Sequence, residues 1–235
     1  MDVSALLFAD SRFPGGGHAH SGGVEEAAAR GLVRTEADLA PFLRGRLRTA
    51  GTLAAAFAAA AAHHAARGAT TWSTVDAEFD ARNPSAAQRA ASRAQGRATA
   101  RAIRVVPTVV PTVDSGCGRS LRALLAARPD PHHPVVLGAA VAALGGAPAD
   151  AAGAAAYLSV SGPASAAVRL LGLDPLRVNG IVAALAPDLR SVAAAAAADA
   201  GLDPAELAAP AAPALDLLAE EHVRHHREEV RLFAS

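Results

Sequence analysis

The residues best suited to chemistry lie near the start of the chain, in the glycine-rich segment 14–23, which reads Pro-Gly-Gly-Gly-His-Ala-His-Ser-Gly-Gly. Glycine loops can cradle phosphate. However, the phosphate loop of nucleotide hydrolases needs a lysine before Ser or Thr, and the dinucleotide fingerprint needs G-x-G-x-x-G after a strand. Neither pattern is present. Because glycine reaches positive φ without steric cost, we interpret the segment as a tight irregular turn whose backbone can approach another surface closely.

Ser21 adds a second hypothesis, nucleophilic catalysis. Residues 19–23 approximate the nucleophile elbow of α/β hydrolases, with Ala19 at the first position. An elbow follows an apolar strand, whereas Pro-Gly-Gly-Gly-His precedes this one. A small hydrolase that uses Ser21 and His20 is therefore an alternative, and Ser21 is also a candidate cap for the helix that follows.

Histidines offer possible metal ligands. The nine histidines include four groups: His18/His20, His63/His64, His132/His133 and His222/His225/His226. Adjacent residues on a helix point about 100° apart and are poorly placed to share an ion. His222 and His226 are four residues apart and could ligate a divalent metal from one helix face, with Glu229 nearby. The same residues suit an ordinary polar face, so we predict no metal site and keep His222 and His226 as the weak candidates.

The carboxylates and the cysteine give no catalytic pattern. Glu25/Glu26 and Glu220/Glu221 are adjacent pairs rather than acids that converge from opposite elements. We predict that they lie on solvated helix faces. The single cysteine, Cys117, stands between two glycines and is predicted to be a loop thiol without function. One cysteine cannot form an internal disulfide, so we expect a reducing compartment.

Charge excludes several classes of protein. All 22 basic residues are arginine, and the absence of lysine excludes Schiff-base chemistry and phosphate-loop hydrolysis. The formal net charge of zero argues against a general nucleic-acid binder, which needs a basic face. The first ten residues lack a basic region, and the alanine-rich stretches fall short of the roughly 20 apolar residues of a spanning helix. We therefore expect a cytoplasmic protein that contacts neither membrane nor nucleic acid.

Composition favours an all-α fold, so the elements that position the candidate residues are expected to be helices. Alanine, the best helix former, accounts for 65 of 235 residues, and aromatic residues for only 3%. A core so poor in large side chains buries less apolar area per residue. We expect part of the missing burial to come from a subunit or partner interface.

Start and stop signals place helices on both sides of the glycine-rich segment. Residues 4–9 form a brief apolar turn, and a helix is predicted from about Val24 to Arg30. Thr35 and Asp38 resemble a capping box. The apolar residues of the helix that they open share one face: Leu39, Phe42, Leu43 and Leu47. After Gly51 a helix over 52–66 is predicted.

The second half of the chain is predicted to be a series of longer helices. Ala86–Ile103 carries an arginine every fourth residue, a stripe expected to face solvent or a partner: Arg89, Arg93, Arg97 and Arg101. The Val/Pro segment 105–113 is a linker because prolines four residues apart prevent a helix. Further predicted helices are 119–127, one that begins at Pro134, 149–171, 175–199 and about 213–230. Leu215, Leu218, His222 and Leu217 are placed on the inner side of the last one.

Several segments resemble the UreF family of urease accessory proteins. Residues 6–11 (Leu-Leu-Phe-Ala-Asp-Ser) and 14–25 (Pro-Gly-Gly-Gly-His-Ala-His-Ser-Gly-Gly-Val-Glu) are similar to the opening of that family. Further matches follow in the family's order: Ala91–Arg97, His133-Pro134-Val135 with Gly138, Ser165–Leu170 and Arg231–Ser235. The resemblance spans nearly the whole chain, and its first and last segments are the specific ones.

The resemblance implies one helical domain over 1–235, a bundle of about ten helices, with a glycine-rich loop (14–23) and a partner-binding tail (about 213–235). Family members have no chemistry or cofactor of their own. They dimerise and bind the UreD scaffold, also called UreH, and the GTPase UreG, and this assembly inserts nickel into apo-urease. A nickel-binding metallochaperone that uses His222, His225 and His226 is the alternative from another class.

The family's partner contacts map onto the loop and the tail. The resemblance assigns them to Pro14, Gly16, His18, His20, Ser21, Glu25, His222, Arg231 and Phe233. Two positions depart from the family, since His18 replaces a common aromatic residue and Gly15 a usual aliphatic one. Buried arginine and aromatic anchors carry much of the binding energy at interfaces, so Arg231 and Phe233 are the expected anchors.

Overall fold

Helices follow one another with short connections in the computed structural model, which describes residues 2–16, 20–105 and 115–232, without the side chains of Ser4 and 226–232. No strand occurs in these ranges, and the prediction of an all-α single-domain fold is confirmed. The helices are α1 Val3–Ala9, α2 Val24–Ala29, α3 Glu36–Arg46, α4 Thr52–Ala66, α5 Ser73–Ala81, α6 Ala86–Val105, α7 Gly116–Ala127, α8 His133–Ala143, α9 Pro148–Leu171, α10 Pro175–Ala184, α11 Ala186–Ala198 and α12 Pro213–Leu232. A π-helical turn (Leu47–Gly51) and a 3-10 turn (Pro204–Glu206) complete the described elements.

The centre of the molecule is the packing of α4 against α8 and α9. Alanines let α4 and α8 approach so closely that a Cβ on Gly138 would lie 2.1 Å from the carbonyl oxygen of Ala58. Two apolar clusters flank α4, one around Phe57 and Leu137 and the other around Leu43 and Val160. The helices α4 and α9 therefore contribute residues to both clusters, whereas those that α8 contributes belong to the first.

The segment that begins at Thr35 forms as predicted from local signals. The Thr35 hydroxyl accepts the Asp38 N–H, and the Asp38 carboxylate accepts the Thr35 N–H at 3.0 Å, so the capping box is confirmed. Leu39, Leu43 and Leu47 are fully buried on one face, while Phe42 is half-buried. Gly51 does not separate two helices, because the π-helical turn joins α3 directly to α4.

The predicted helix over 175–199 is wrong in one respect, since it is two helices that meet at Leu185 with a bend of 45°. Pro187 lies in the first turn of α11. Its ring nitrogen has no hydrogen for the carbonyl of Ala183, and the ring crowds that carbonyl, which bends the helix. No single described helix is long and apolar enough to cross a membrane. Among the described helices, only this bent pair, taken together, has the length and apolar composition of a membrane span.

Three other assignments of exposure or structure are corrected. The arginine stripe of α6 is split, because Arg97 and Arg101 are exposed but Arg93 turns inward to Asp76 and Asp80. Residues 3–9 form a helix, α1, rather than a turn. Leu217 does not face inward: it is 67% exposed, whereas Leu215 and Leu218 of the same helix are buried.

Candidate partner-binding cavity

A cavity of about 920 Å³ lies where the end of the glycine-rich loop meets α2, α6, α9 and α12. Four of the predicted contact residues line it together: His20, Ser21, Glu25 and His222. The wall also contains apolar side chains such as Leu53, Leu158 and Leu215, and charged ones such as Arg46 and Arg97. The structure therefore joins the loop and the C-terminal helix, which are about 200 residues apart in sequence, at one place.

The other predicted contact residues lie elsewhere or outside the described part. Pro14 is exposed, and Gly16 has φ of +75° and stands next to Ala98 of α6. His18 and Phe233 lie outside the described residues, as does most of the 105–113 linker. The backbone of Arg231 belongs to α12, but its side chain and that of His226 lie outside the description.

The end of the glycine loop makes the close approach that its sequence predicts. Gly22 and Gly23 have φ of +62° and +94°. A Cβ on Gly22 would lie 2.6 Å from Cγ of Pro163 and 3.0 Å from Cζ of Arg46. Gly23 occupies the N-cap of α2 without a side-chain bond, so Ser21 does not cap that helix through its side chain.

Arg46 fastens this turn to α9. Pro163 is inside α9 and has no N–H, so it leaves the carbonyl of Ser159 without its helical donor. Arg46 Nε donates to that carbonyl at 2.8 Å, and Nη1 donates to the carbonyl of Gly22 at 2.8 Å. Burial lowers the pKa of Arg46 to about 10, so the guanidinium stays protonated at neutral pH.

Glu26 is a buried anchor between α2 and α12, contrary to the prediction that Glu25 and Glu26 share a solvated face. Its side chain is 3% exposed and accepts from Arg30 Nε at 2.7 Å. His225 Nδ1 lies 3.1 Å from its second oxygen. Burial would raise the pKa of Glu26, but the hydrogen bonds from Arg30 and His225 outweigh it and hold the pKa below its ordinary value.

Three more contacts join the C-terminal helix to its neighbours. Glu25 Oε2 lies 3.9 Å from Nε2 of His222. Glu220 accepts from the hydroxyl of Ser85 at 2.6 Å and from the N–H of Ala87 at 2.9 Å. The bonds from Ala87 and Ser85 lower the pKa of Glu220. Polar contacts with both α2 and α6 therefore fix α12 where it borders the cavity.

His133 adds an imidazole on the α8 side of the cavity. Burial, with a smaller contribution from the charge of His20, lowers its pKa from 6.5 to about 4. The ring is consequently neutral at physiological pH, and protonation there would leave an uncompensated charge.

Asp76, Asp80 and His132 form a second cluster of ionisable groups, which the sequence analysis missed. Their ligand atoms lie within 4.8 Å of one another, a spacing that a divalent cation accepts. Arg93 already donates to Asp80 at 2.6 Å, and Arg128 to Asp76. Burial would raise the pKa of Asp76, but the His132 N–H and Arg128 outweigh it and lower that pKa. Because guanidinium groups fill the cationic role, the cluster is an internal ion-pair network that joins α5, α6 and α8.

A signal for this cluster was present in the sequence. Asp76 and Asp80 are four residues apart on one helix face, and Arg89 and Arg93 repeat that spacing on α6. Complementary i, i+4 pairs on two helices indicate that the helices can pack through their charges. The spacing alone does not tell which helices pack together, because that depends on the tertiary structure.

Cys117 is also placed differently from its prediction. It lies in the first turn of α7, packed partly against the core, and not in a loop. Ser115 caps that helix by accepting the Gly118 N–H at 3.0 Å.

Comparison with known proteins shows the family of the chain. The family model named UreF matches residues 33–186. Urease accessory protein UreF of Mycobacterium sp. (strain JLS) is 46% identical over 233 residues, which cover 99% of this chain and 98% of the relative. The protein of the same name from Mycolicibacterium vanbaalenii is 43% identical over 233 residues, again 99% and 98% of the two chains. That of Mycobacterium tuberculosis is 41% identical over 217 residues, 92% of each chain.

Similarity of this extent defines the class of the molecule: an all-helical urease accessory protein. Within that class, the chain belongs to the UreF family, as its N-terminal and C-terminal segments suggest.

Proposed function

We propose that the chain is a non-catalytic assembly factor that bridges the UreD/UreH scaffold and the GTPase UreG. In that role it supports GTP-dependent insertion of nickel into apo-urease. The observation that carries the proposal is the junction of the glycine-rich loop with α12 around one cavity, since both segments are expected partner contacts. The absence of lysine from the whole sequence supports the division of labour, because the phosphate-loop chemistry of GTP hydrolysis then belongs to the partner.

We propose in addition that the protein acts in the cytoplasm as a homodimer. The alanine-rich core supports this, because it supplies little burial by large side chains. Large apolar side chains remain on the surface, among them Leu176 at 82% and Leu217 at 67% exposure. Sedimentation over a range of protein concentrations tests the dimer, and a monomer at every concentration would contradict it.

Deletion of residues 231–235 tests the assembly role. The deletion removes the expected anchors Arg231 and Phe233 but no residue of the described core. We expect an unchanged helical circular dichroism spectrum and loss of copurification with UreD. Replacement of Arg101, an exposed arginine of α6, by Gln is the control and should leave copurification intact. A truncated protein that still copurifies with UreD in stoichiometric amount would refute the proposal for the tail.

A further inference from the structure

Arg46 carries a positive charge that the described part of the fold does not balance. Both of its hydrogen bonds go to backbone carbonyls, those of Ser159 and Gly22. Within the described ranges, no carboxylate lies within 4.0 Å of its guanidinium. A guanidinium has five N–H donors, so about three of them are left after these two bonds. Arg46 is half-buried and none of its nitrogens is both buried and unpaired, so these remaining donors face the cavity, where they are available to an anion.

The carboxylates of the same cavity do not serve as that counter-charge, because each has another partner. Glu26 is paired with Arg30 and His225, and Glu220 accepts from Ser85 and Ala87. Glu25 lies against His222.

A second arginine lines the cavity, also without a carboxylate partner among the described residues. Arg97 of α6 is exposed at the cavity wall, and the described part of the chain offers it no carboxylate partner within 4.0 Å. The cavity wall also contains the apolar side chains Leu53, Ala54 and Leu158. Two arginines on such a surface favour an anion, because charge-assisted bonds from guanidinium to an oxyanion are short and often bidentate.

We propose that this cavity is an oxyanion-binding site, in which Arg46 binds a carboxylate or phosphate group and Arg97 assists from the wall. The oxyanion is either a free ion or the side-chain carboxylate of a partner protein. Only the partner carboxylate rests on the proposed function.

Thermal unfolding of the purified chain in phosphate or acetate tests the free ion, with chloride at equal ionic strength as the reference. A ligand that binds only the folded state raises Tm by about 3–6 °C at ten times its dissociation constant for a chain of this size. We expect that rise in the wild type and in Arg101→Gln, which removes an exposed arginine outside the cavity. Arg46→Gln should abolish the rise.

A second variant keeps the test valid if Arg46→Gln does not fold. Ala50 lines the cavity one turn after Arg46, so Ala50→Glu supplies an internal carboxylate. We expect it to raise Tm without added anion and to remove the response to phosphate and acetate.

Copurification tests the partner carboxylate. If the isolated chain does not respond to anions, Arg46→Gln and Ala50→Glu should both lose UreD or UreG, while Arg101→Gln retains them. Wild-type protein that binds neither partner would refute the proposed function and leave the thermal test standing. The site itself is refuted if oxyanions act no more strongly than chloride and both cavity variants still copurify.

Discussion

At the scale of single residues, two glycines are required by contacts between backbones. A Cβ on Gly96 of α6 would lie 1.8 Å from the carbonyl oxygen of Pro131, and one on Gly138 would meet the carbonyl oxygen of Ala58 at 2.1 Å. In both cases the obstacle is main chain, which cannot rotate away as the end of a side chain can. The lack of a side chain at these positions therefore fixes how closely α6 and α8 approach their neighbours.

Gly96→Ala is expected to destabilise the protein by about 3 kcal/mol, because the α6 backbone must move away from Pro131. Gly45→Ala is the matched control: that glycine is also helical, and a Cβ added to it would meet nothing within 4 Å. The control should gain about 0.5–1 kcal/mol from higher helix propensity. Urea unfolding measures the stability of both variants. Equal midpoints for Gly96→Ala and Gly45→Ala would contradict the close contact between Gly96 and Pro131.

The low pKa of His133 predicts how the stability of the protein depends on pH. Its pKa is about 4 in the folded protein and 6.5 for the ordinary side chain. Between these values the unfolded chain binds the proton more readily, so this contribution to stability is present above pH 6.5 and is lost as pH falls toward 4. We expect a lower urea midpoint at about pH 5 than at about pH 7.5.

The test for His133 is the difference between those two midpoints. His133→Gln should reduce it, and His63→Gln reports what the same substitution does at a histidine elsewhere. If the difference between the two midpoints is the same in His133→Gln as in the wild type, the pH dependence comes from other groups.

Part of the site is predictable from the sequence. The rest is not predictable, and the physical reasons can be identified. His20, Ser21, Glu25 and His222, which the family resemblance assigns to partner contacts, line one cavity. Their contact with a partner stays a prediction. The sequence predicts solvent exposure for Glu26, because a charged residue beside another usually is exposed. Its burial depends on Arg30 and on His225, which is 199 residues away, and no local pattern reports such a partner.

At the scale of elements, polar contacts help to hold the described part of α12 in position. Leu215 and Leu218 bury only one side of its first turns. Farther along, Glu26 of α2 holds His225, and Ser85 before α6 holds Glu220. Loss of one such contact should therefore loosen α12 before it unfolds the protein.

Glu26→Gln is expected to speed hydrogen exchange of the α12 amides by about tenfold or more, since it removes charge-assisted bonds to His225 and Arg30. Exchange in α4 should change less, because α4 is packed in the centre. Glu25→Gln is the control: the Glu25 side chain is 43% exposed and its His222 contact is long, so exchange should stay near the wild-type rate. Uniform acceleration in α4 and α12 would contradict a local effect.

Elements are predictable where their signals are local. The capping box at Thr35 and Asp38 and the proline start of α8 at Pro134 are visible in the sequence. The π-helical turn is not, because it depends on tertiary packing: a Cβ on Gly51 would lie 2.6 Å from Oγ of Ser159. The bend at Leu185 has a signal in Pro187, but alanines on both sides mask it with strong helix propensity.

At the scale of the whole molecule, alanine replaces larger residues through much of the core. The ten buried residues of α4 include only two large side chains, Leu53 and Phe57. Helices compensate by close approach, which gains packing contacts between main chains. Less apolar surface is buried for each residue than in a core of leucine and isoleucine.

This composition predicts a small heat capacity change on unfolding, because that quantity follows exposed apolar area. We expect a value below about 12 cal/mol/K per residue, the lower end of the usual range. Calorimetry at several pH values measures it as the slope of enthalpy against Tm. A value of about 15 cal/mol/K per residue would show that a full-sized apolar surface is exposed.

The crossing of α4 and α8 at Ala58 and Gly138 also limits how the sequence can diverge. Gly138 has no side chain and Ala58 has a single methyl group, so almost nothing can be removed, and a larger residue at Gly138 must force the two helices apart. Mutational damage at this crossing therefore comes from added atoms rather than from lost ones. Larger side chains are accommodated more easily at the periphery, where the proposed partner contacts lie.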